Sequence, residues 1–290
     1  MVKITQYIYR EGSNPSPGAN KYNMTNIYSR LNKIFLNFKN MPVDSIFKTV
    51  LVATALCFIC SMVVSFAAVN LKSMQETNKA IDKQKNILQV AGVYYEGIDV
   101  NKTFSSFTPL VVDLDTGKFT DKFDPYIFDD KKASQDPVLS ISLENDPAGI
   151  GRRTNYATIY LLKKDDGSLD KVILPIHGYG LWSTLYGFIA LEDNLNDIFG
   201  LQFYQHAETP GLGAEVDNPK WKAQWKGKKL NNDSGELMIT VAKTQKHKDH
   251  HIDALAGATL TSNGVDNLVK FWMGESGFKK FLKNLQNGAA

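Results

Sequence analysis

The 290-residue chain has two cysteines, Cys57 and Cys60, and both fall inside one apolar run, so no disulfide can staple the long remainder. The pair lies at i and i+3, on one face of a helix. Two ligands cannot complete a tetrahedral site, so thiols packing as small apolar groups outweigh a metal or cluster role. Charge of one sign is also scarce. The 33 Lys and Arg against 30 Asp and Glu leave a net +3, and the C-terminal part has no basic stripe interleaved with aromatics, which argues against nucleic-acid binding. Nothing has the form of a Ser/His/Asp triad or a Walker loop, and no internal repeat is evident. His247, His250 and His251 cluster, but neighbouring lysines oppose a bound cation, and a solvated loop is expected there. What is present is a 43 % apolar chain with mixed charge, sufficient for one sizeable domain and an anchor.

The anchor lies between Val50 and Val69. About twenty residues without a charge match, at ~1.5 Å rise each, the ~30 Å hydrocarbon core of a bilayer. The run begins too far into the chain for a conventional signal peptide, and no small-residue cleavage pattern precedes Lys72. Lys3, Arg10, Lys21, Arg30, Lys33, Lys39 and Lys48 precede the span, opposed by Glu11 and Asp44, whereas Lys72, Lys79, Lys83 and Lys85 follow it. The bias predicts a cytoplasmic N-terminus and a periplasmic main domain.

Residues 1 to about 23 are polar, with Gly, Ser, Asn and Pro clustered from Gly12 to Asn20, and read as flexible. Ile27, Leu31, Ile34, Phe35 and Phe38 then share a helical face up to Pro42. That pattern suits a basic amphipathic helix on the inner membrane surface or a helix docked on a partner protein. After the span, Leu71 to Val90 reads as a charged helix with Met74, Ile81 and Leu88 as its sparse apolar face. Strand signals follow. Leu110 to Leu114 runs into Asp115-Thr116-Gly117, and Tyr156 to Leu162 is parted from Val172 to Leu174 by Asp165-Asp166-Gly167-Ser168; both predict hairpins. Further strands are expected at Tyr186 to Leu191, Leu201 to His206 and Leu237 to Ala242, with helices near Lys220 to Lys226 and at the C-terminus. Hairpins with segregated helices indicate an α+β domain rather than a βαβ nucleotide fold. The expected division is an N-terminal extension (1–45), a transmembrane helix (46–70) and an extracytoplasmic mixed α+β domain (71–290).

The most informative segment is Asp253-Ala254-Leu255-Ala256-Gly257-Ala258-Thr259-Leu260-Thr261-Ser262. It places hydroxyls on a small-residue turn before a helix marked by Val265, Leu268, Val269 and Trp272, which Gly274 and Gly277 break or bend. On spacing alone the segment is either a helix start capped by Thr261 or Ser262, or a site where unpaired N–H groups and the helix dipole face a phosphate. Two upstream runs add weaker signals. His177-Gly178-Tyr179-Gly180-Leu181-Trp182-Ser183 suits a glycine-rich strand or a backbone passing close to a flat ligand. His206-Ala207-Glu208-Thr209-Pro210-Gly211-Leu212-Gly213 is a loop that can wall a cofactor or simply turn the chain.

The segment 253–262 resembles the flavinylation motif Asp-x-x-(Ser)-Gly-Ala-(Thr/Ser)-x-Thr of a bacterial family that carries FMN esterified through its phosphate to a threonine. The likeness makes Thr259 the acceptor, with Ala256 standing where the family commonly has serine. In that family a separate flavin transferase attaches the group from FAD with a divalent metal, so no catalytic residue is sought in this chain. The three motifs in order, the single span and the Gln84-Lys85-Asn86-Ile87-Leu88 segment together resemble the C-subunit family of the sodium-translocating NADH:quinone oxidoreductases over roughly residues 45 to 290. The resemblance implies an electron-relay member of a multisubunit sodium pump in the bacterial inner membrane. It would hold one covalent FMN, with NADH and ubiquinone bound by other subunits. It implies that Gly257, Ala258 and Thr261 shape the phosphate pocket, that Leu181, Trp182, Thr209, Gly211 and Leu212 flank the ring, and that Glu208 orients polar groups nearby. The alternatives are the related flavoprotein of an Rnf-type ferredoxin:NAD oxidoreductase, or a membrane-tethered binding protein without redox function; Trp221, Trp225 and the linker Gly213-Ala214-Glu215-Val216 favour the quinone-linked complex.

Overall fold

The computed structural model describes residues 29, 30, 32, 33, 36–38, 40–42, 45–245 and 247–290. The expected flexible N-terminus, and Ile27, Leu31, Ile34 and Phe35 of the expected amphipathic helix, lie outside the described residues. The chain divides into two compact units between Met74 and Gln75.

The expected span and the charged helix after it form one 45-residue helix, α1 (Ile46–Val90), roughly 67 Å long at the usual rise. No proline or glycine interrupts it, so nothing stops the helix where the apolar run gives way to charge. Its apolar stretch is exposed throughout and is long enough to cross a membrane, which fits a membrane-anchored protein. Cys57 and Cys60 are exposed on it.

The unit Gln75–Ala290 is built on an antiparallel six-stranded sheet. In chain order its strands are β1 (Phe107–Asp113), β2 (Lys118–Phe119), β5 (Tyr156–Lys163), β6 (Leu169–Tyr179), β7 (Thr184–Glu192) and β8 (Ile198–Gln205), and they lie side by side as β2-β1-β5-β6-β7-β8. Both expected hairpins form. Gly117 (φ 66°) and Gly167 (φ 84°) close them in the left-handed region, where glycine alone is unstrained. A second, two-stranded pair, β3 (Ser140–Ser142) and β4 (Arg152–Thr154), precedes β5.

Alternation along the strands divides the core between the two faces of the sheet. Val172, Leu174 and Ile176 of β6 join Val265, Leu268, Val269 and Trp272 of α5 (Thr259–Met273), and Phe278, Phe281 and Leu282 around α6 (Lys279–Gln286), on one side. Ile173, Tyr160 and Phe188 meet Ile87, Leu88 and Val90 at the end of α1, and Phe104 of α2 (Val100–Phe104), on the other. The single-turn α3 (Asp130–Ala133), capped by Asp129, is tied to β5 by Asp130 Oδ1, which accepts from Thr158 N at 3.1 Å. Gly274 and Gly277 separate α5 from α6 as the sequence predicts.

Three expectations change in detail. The helix near Lys220–Lys226 is the short α4 (Pro219–Ala223), started by the Asn218 side chain accepting from Lys220 N at 2.9 Å. Strand Leu237–Ala242 contracts to β9 (Thr240–Ala242), because Leu237 bridges back to Asn231 and only the last three residues pair, in parallel, with β10 (His251–Asp253). His251, expected in a solvated loop, is buried in β10 while His247 is exposed, since strand alternation turns it inward. Among the described residues no group of three His, Cys, Asp or Glu side chains is arranged to hold a metal.

Candidate functional site

Three separate stretches meet at the N-terminus of α5: the end of β6 with its turn (Tyr179–Ser183), the loop 206–213, and the segment 253–262. Their meeting point is Glu208, which is only 5 % exposed. Its Oε1 accepts from the backbone N–H of Leu181 (3.1 Å), Trp182 (3.0 Å) and Ser183 (3.3 Å), and its Oε2 accepts from Thr261 Oγ1 at 2.6 Å. Burial pushes the carboxyl pKa up, but the Thr261 hydroxyl and the three N–H donors outweigh it and hold the group below the ordinary range, so it stays ionised. The loop that carries it is tied down separately. Ala207 N donates to Ser183 Oγ at 2.7 Å, and His206 bridges Glu208 N (3.3 Å) and Asp217 Oδ2 (2.8 Å).

Glycines make this convergence sterically possible. A Cβ at Gly180 would lie 2.7 Å from Glu208 Oε1, and one at Gly213 would lie 2.6 Å from both Glu208 Oε2 and Thr261 Oγ1. Gly264, one turn into α5, would meet the Tyr179 carbonyl oxygen at 2.4 Å. Real Cβ atoms do not approach this closely, so side chains at these three positions would push the helix off the strand end. Trp272 closes the far end of the same contact, its Nε1 donating to the His177 carbonyl at 2.6 Å.

The helix start differs from the sequence expectation. Neither Thr261 nor Ser262 is the N-cap: α5 begins at Thr259 after Ala258, which offers no side-chain cap. Ser262 instead folds its hydroxyl back, accepting from Leu255 N and donating to the Ala258 carbonyl, each at 2.9 Å, and Thr261 is committed to Glu208. Gly257 makes the sharp entry at φ 72°, with Leu212 Cδ2 3.1 Å from where its Cβ would be. Asp253 is held by Gln224 Oε1 (accepting from its N–H, 2.9 Å), Trp221 Nε1 (donating to its carbonyl, 2.8 Å) and His251.

This leaves Thr259 as the first helical residue, exposed, its hydroxyl without a hydrogen-bond partner among the described residues. The first-turn N–H groups have no intrahelical acceptor and present the positive end of the dipole beside it. The same three stretches carry large apolar side chains that folding leaves in solvent: Trp182 (66 % exposed), Leu260, Leu212, Leu181 and Tyr179. Thr209 and Gly211 are exposed on the same loop, Gly211 at φ 73°. Ala258 and Thr261 are buried and Gly257 is exposed. The donor set suits a phosphate ester on Thr259, and the apolar shelf suits a flat aromatic ring. Sequence reasoning misses Leu260 on the shelf, the hydrogen bond made by Ser183, and Gly264. An isolated glycine inside a helical pattern is the available signal for the last.

Known proteins bear on this arrangement directly. Residues 180–274 match the FMN-binding domain family, a range that takes in the 181–183 turn, the 206–213 loop and all of α5. The segment thus defines a flavin-binding domain. Over 258 residues the chain is 50 % identical to the C subunit of the Na(+)-translocating NADH-quinone reductase of Pseudomonas aeruginosa, covering 85 % of this chain and 98 % of that protein. The corresponding protein of Yersinia pestis is 46 % identical over 254 residues, covering 85 % and 95 %. Among solved structures, NqrC of Shewanella oneidensis superposes with a TM-score of 0.69 at 35 % identity, over 73 % of this chain and 99 % of that one. The chain belongs to the NqrC family, the C subunits of the Na(+)-translocating NADH-quinone reductases.

Proposed function

We propose that this protein carries FMN esterified through its phosphate to Thr259 and relays electrons inside a membrane-bound, sodium-translocating NADH:quinone oxidoreductase. The observation that carries the reading is the exposed Thr259 hydroxyl, unpaired among the described residues, at the uncapped start of α5, where three stretches bearing exposed apolar side chains meet. The flavin supplies reversible electron uptake when bound; the chain's own groups hold and orient it. The first-turn N–H groups of α5 face the phosphate, Gly257 brings the backbone close, and Leu181, Trp182, Leu212 and Leu260 offer the ring an apolar seat. Thr209 and Gly211 border that seat from the 206–213 loop.

Among the described residues the Thr259 hydroxyl makes no hydrogen bond to a His, Asp or Glu, and attachment falls to a separate flavin transferase that uses FAD as donor and releases AMP. NADH and quinone belong to the other subunits, whose presence follows from the relatives' description as one subunit of the reductase. The charge bias about the α1 span supports a cytoplasmic N-terminus and a periplasmic flavin domain. Co-expression with a flavin transferase, followed by ultraviolet imaging of the denatured protein in a gel, tests the reading. A fluorescent wild-type band beside a dark Thr259→Ala band supports it; equal bands contradict it.

A further inference from the structure

We propose that Glu208 is a positioning residue whose fixed negative charge lowers the reduction potential of a flavin seated beside it. The inference rests on the reading that FMN is held at Thr259. The geometry behind it is the carboxylate's choice of partners. All four groups bonded to it are neutral donors: three backbone N–H groups and one hydroxyl. Among the described residues no lysine, arginine or histidine forms an ion pair with it, so its charge is spread by hydrogen bonds but not cancelled.

Its hydrogen bonds tie it to both parts of the proposed site. The residues whose N–H groups it fixes, Leu181 and Trp182, are those whose side chains form the apolar shelf, and Thr261 lies two residues from Thr259 on the same helical turn. A buried charge acts through protein rather than water and is little screened by salt. Adding electrons to a ring beside a permanent anion is harder than adding them beside a neutral group, so the carboxylate biases the flavin toward its oxidised form. A neutral amide could satisfy the same three N–H groups. The carboxylate therefore adds one thing beyond scaffolding, which is charge.

Two substitutions separate charge from shape. Glu208→Gln keeps an acceptor oxygen for the three N–H groups and offers its amide to Thr261 Oγ1. Thr261→Val keeps the charge and the volume but removes one donor, leaving the anion less delocalised. Spectroelectrochemical titration of the full-length, flavin-loaded protein is the readout, with intact mass confirming one FMN per chain. The expected result is a shift to more positive potential for Glu208→Gln, so that several-fold more flavin is reduced at a fixed solution potential, and a shift in the opposite direction for Thr261→Val. Loosening of the fold alone would move both the same way. An unchanged or lowered potential in Glu208→Gln, or same-direction shifts in the two variants, overturns the proposal. If Glu208→Gln does not fold or load, the sign of the Thr261→Val shift decides in the same manner. Folded variants that both refuse FMN while the wild type accepts it also overturn it, since Glu208 would then serve transferase recognition. A wild type carrying no FMN on Thr259 defeats the underlying reading instead.

Discussion

Thr261 and Glu208, 53 residues apart in the chain, are joined by a 2.6 Å hydrogen bond between two buried side chains. The bond fixes α5 to the 206–213 loop, and through the other carboxylate oxygen to the turn after β6. Removing either side leaves a buried polar group unsatisfied, at a cost of about 1–3 kcal/mol. The meeting of the three stretches at the start of α5 is thus held by one carboxylate rather than by any single segment.

Gly213→Ala should disrupt that node. The new methyl would sit 2.6 Å from both Glu208 Oε2 and Thr261 Oγ1, and relief of such a clash costs about 1–3 kcal/mol. Thermal denaturation should show a lowered Tm. Gly227→Ala serves as the comparison, because its Cβ meets nothing within 4 Å and only its φ of 76° is penalised. A Tm for Gly213→Ala no lower than that of Gly227→Ala would contradict the crowding argument.

Trp182→Ala should separate function from folding. The indole is 66 % exposed, so its loss should change stability by no more than ~0.5 kcal/mol. A flavin held at Thr259 as proposed should nonetheless become more fluorescent and more accessible to iodide quenching, because its apolar seat is reduced. Unchanged fluorescence and quenching would place the ring elsewhere.

Trp272→Phe should weaken the far end of the α5 contact. It removes the 2.6 Å donation to the His177 carbonyl and part of a fully buried ring, for a loss of about 1–3 kcal/mol. Denaturant titration should show a lower midpoint with an unchanged slope. A midpoint equal to the wild type's would contradict it.

Two half-buried titrating groups on the sheet domain should oppose one another. Burial raises Asp130 to about 6 from 3.8, so in the folded state it resists ionising, and its contribution to stability falls as pH rises through that window. Burial, aided by Lys131, lowers His177 to about 4 from 6.5, so its contribution is lost as pH falls from about 6.5 to about 4. Asp130→Asn should therefore steepen the loss of stability on acidification and raise Tm above pH 6. Melting curves between pH 4 and 7.5 check both signs. A variant that melts at or below the wild-type temperature at pH 7.5 would contradict the assignment for Asp130.

Local chemistry explains what the sequence discloses. The hairpins are legible because Asp115-Thr116-Gly117 and Asp165-Asp166-Gly167-Ser168 permit little else between alternating strands, and the α5–α6 break because Gly274 and Gly277 interrupt a helical period. Residues 253–262 are legible as a group, but not the division of labour among their hydroxyls. Ser262 turns back to Leu255 and Thr261 reaches Glu208, so the positions that pattern alone marks as caps are already engaged. That assignment depends on a loop 53 residues upstream and on glycines whose missing side chains show their purpose only when another chain segment lies against them. His251 escapes sequence reasoning for a related reason: its charged neighbours describe the turn before β10, whereas parallel pairing with β9 decides its burial. The full length of α1 escapes it because a change from apolar to charged residues changes a helix's surroundings without ending it.

The most direct test of the account is the intact mass of the full-length protein after co-expression with a flavin transferase, wild type beside Thr259→Ala. The account predicts one phosphate-ester-linked FMN on every wild-type chain and none on the variant, with both proteins melting within about 1 kcal/mol of each other because Thr259 makes no capping bond. An adduct that survives Thr259→Ala, or its absence from the wild type, would contradict it.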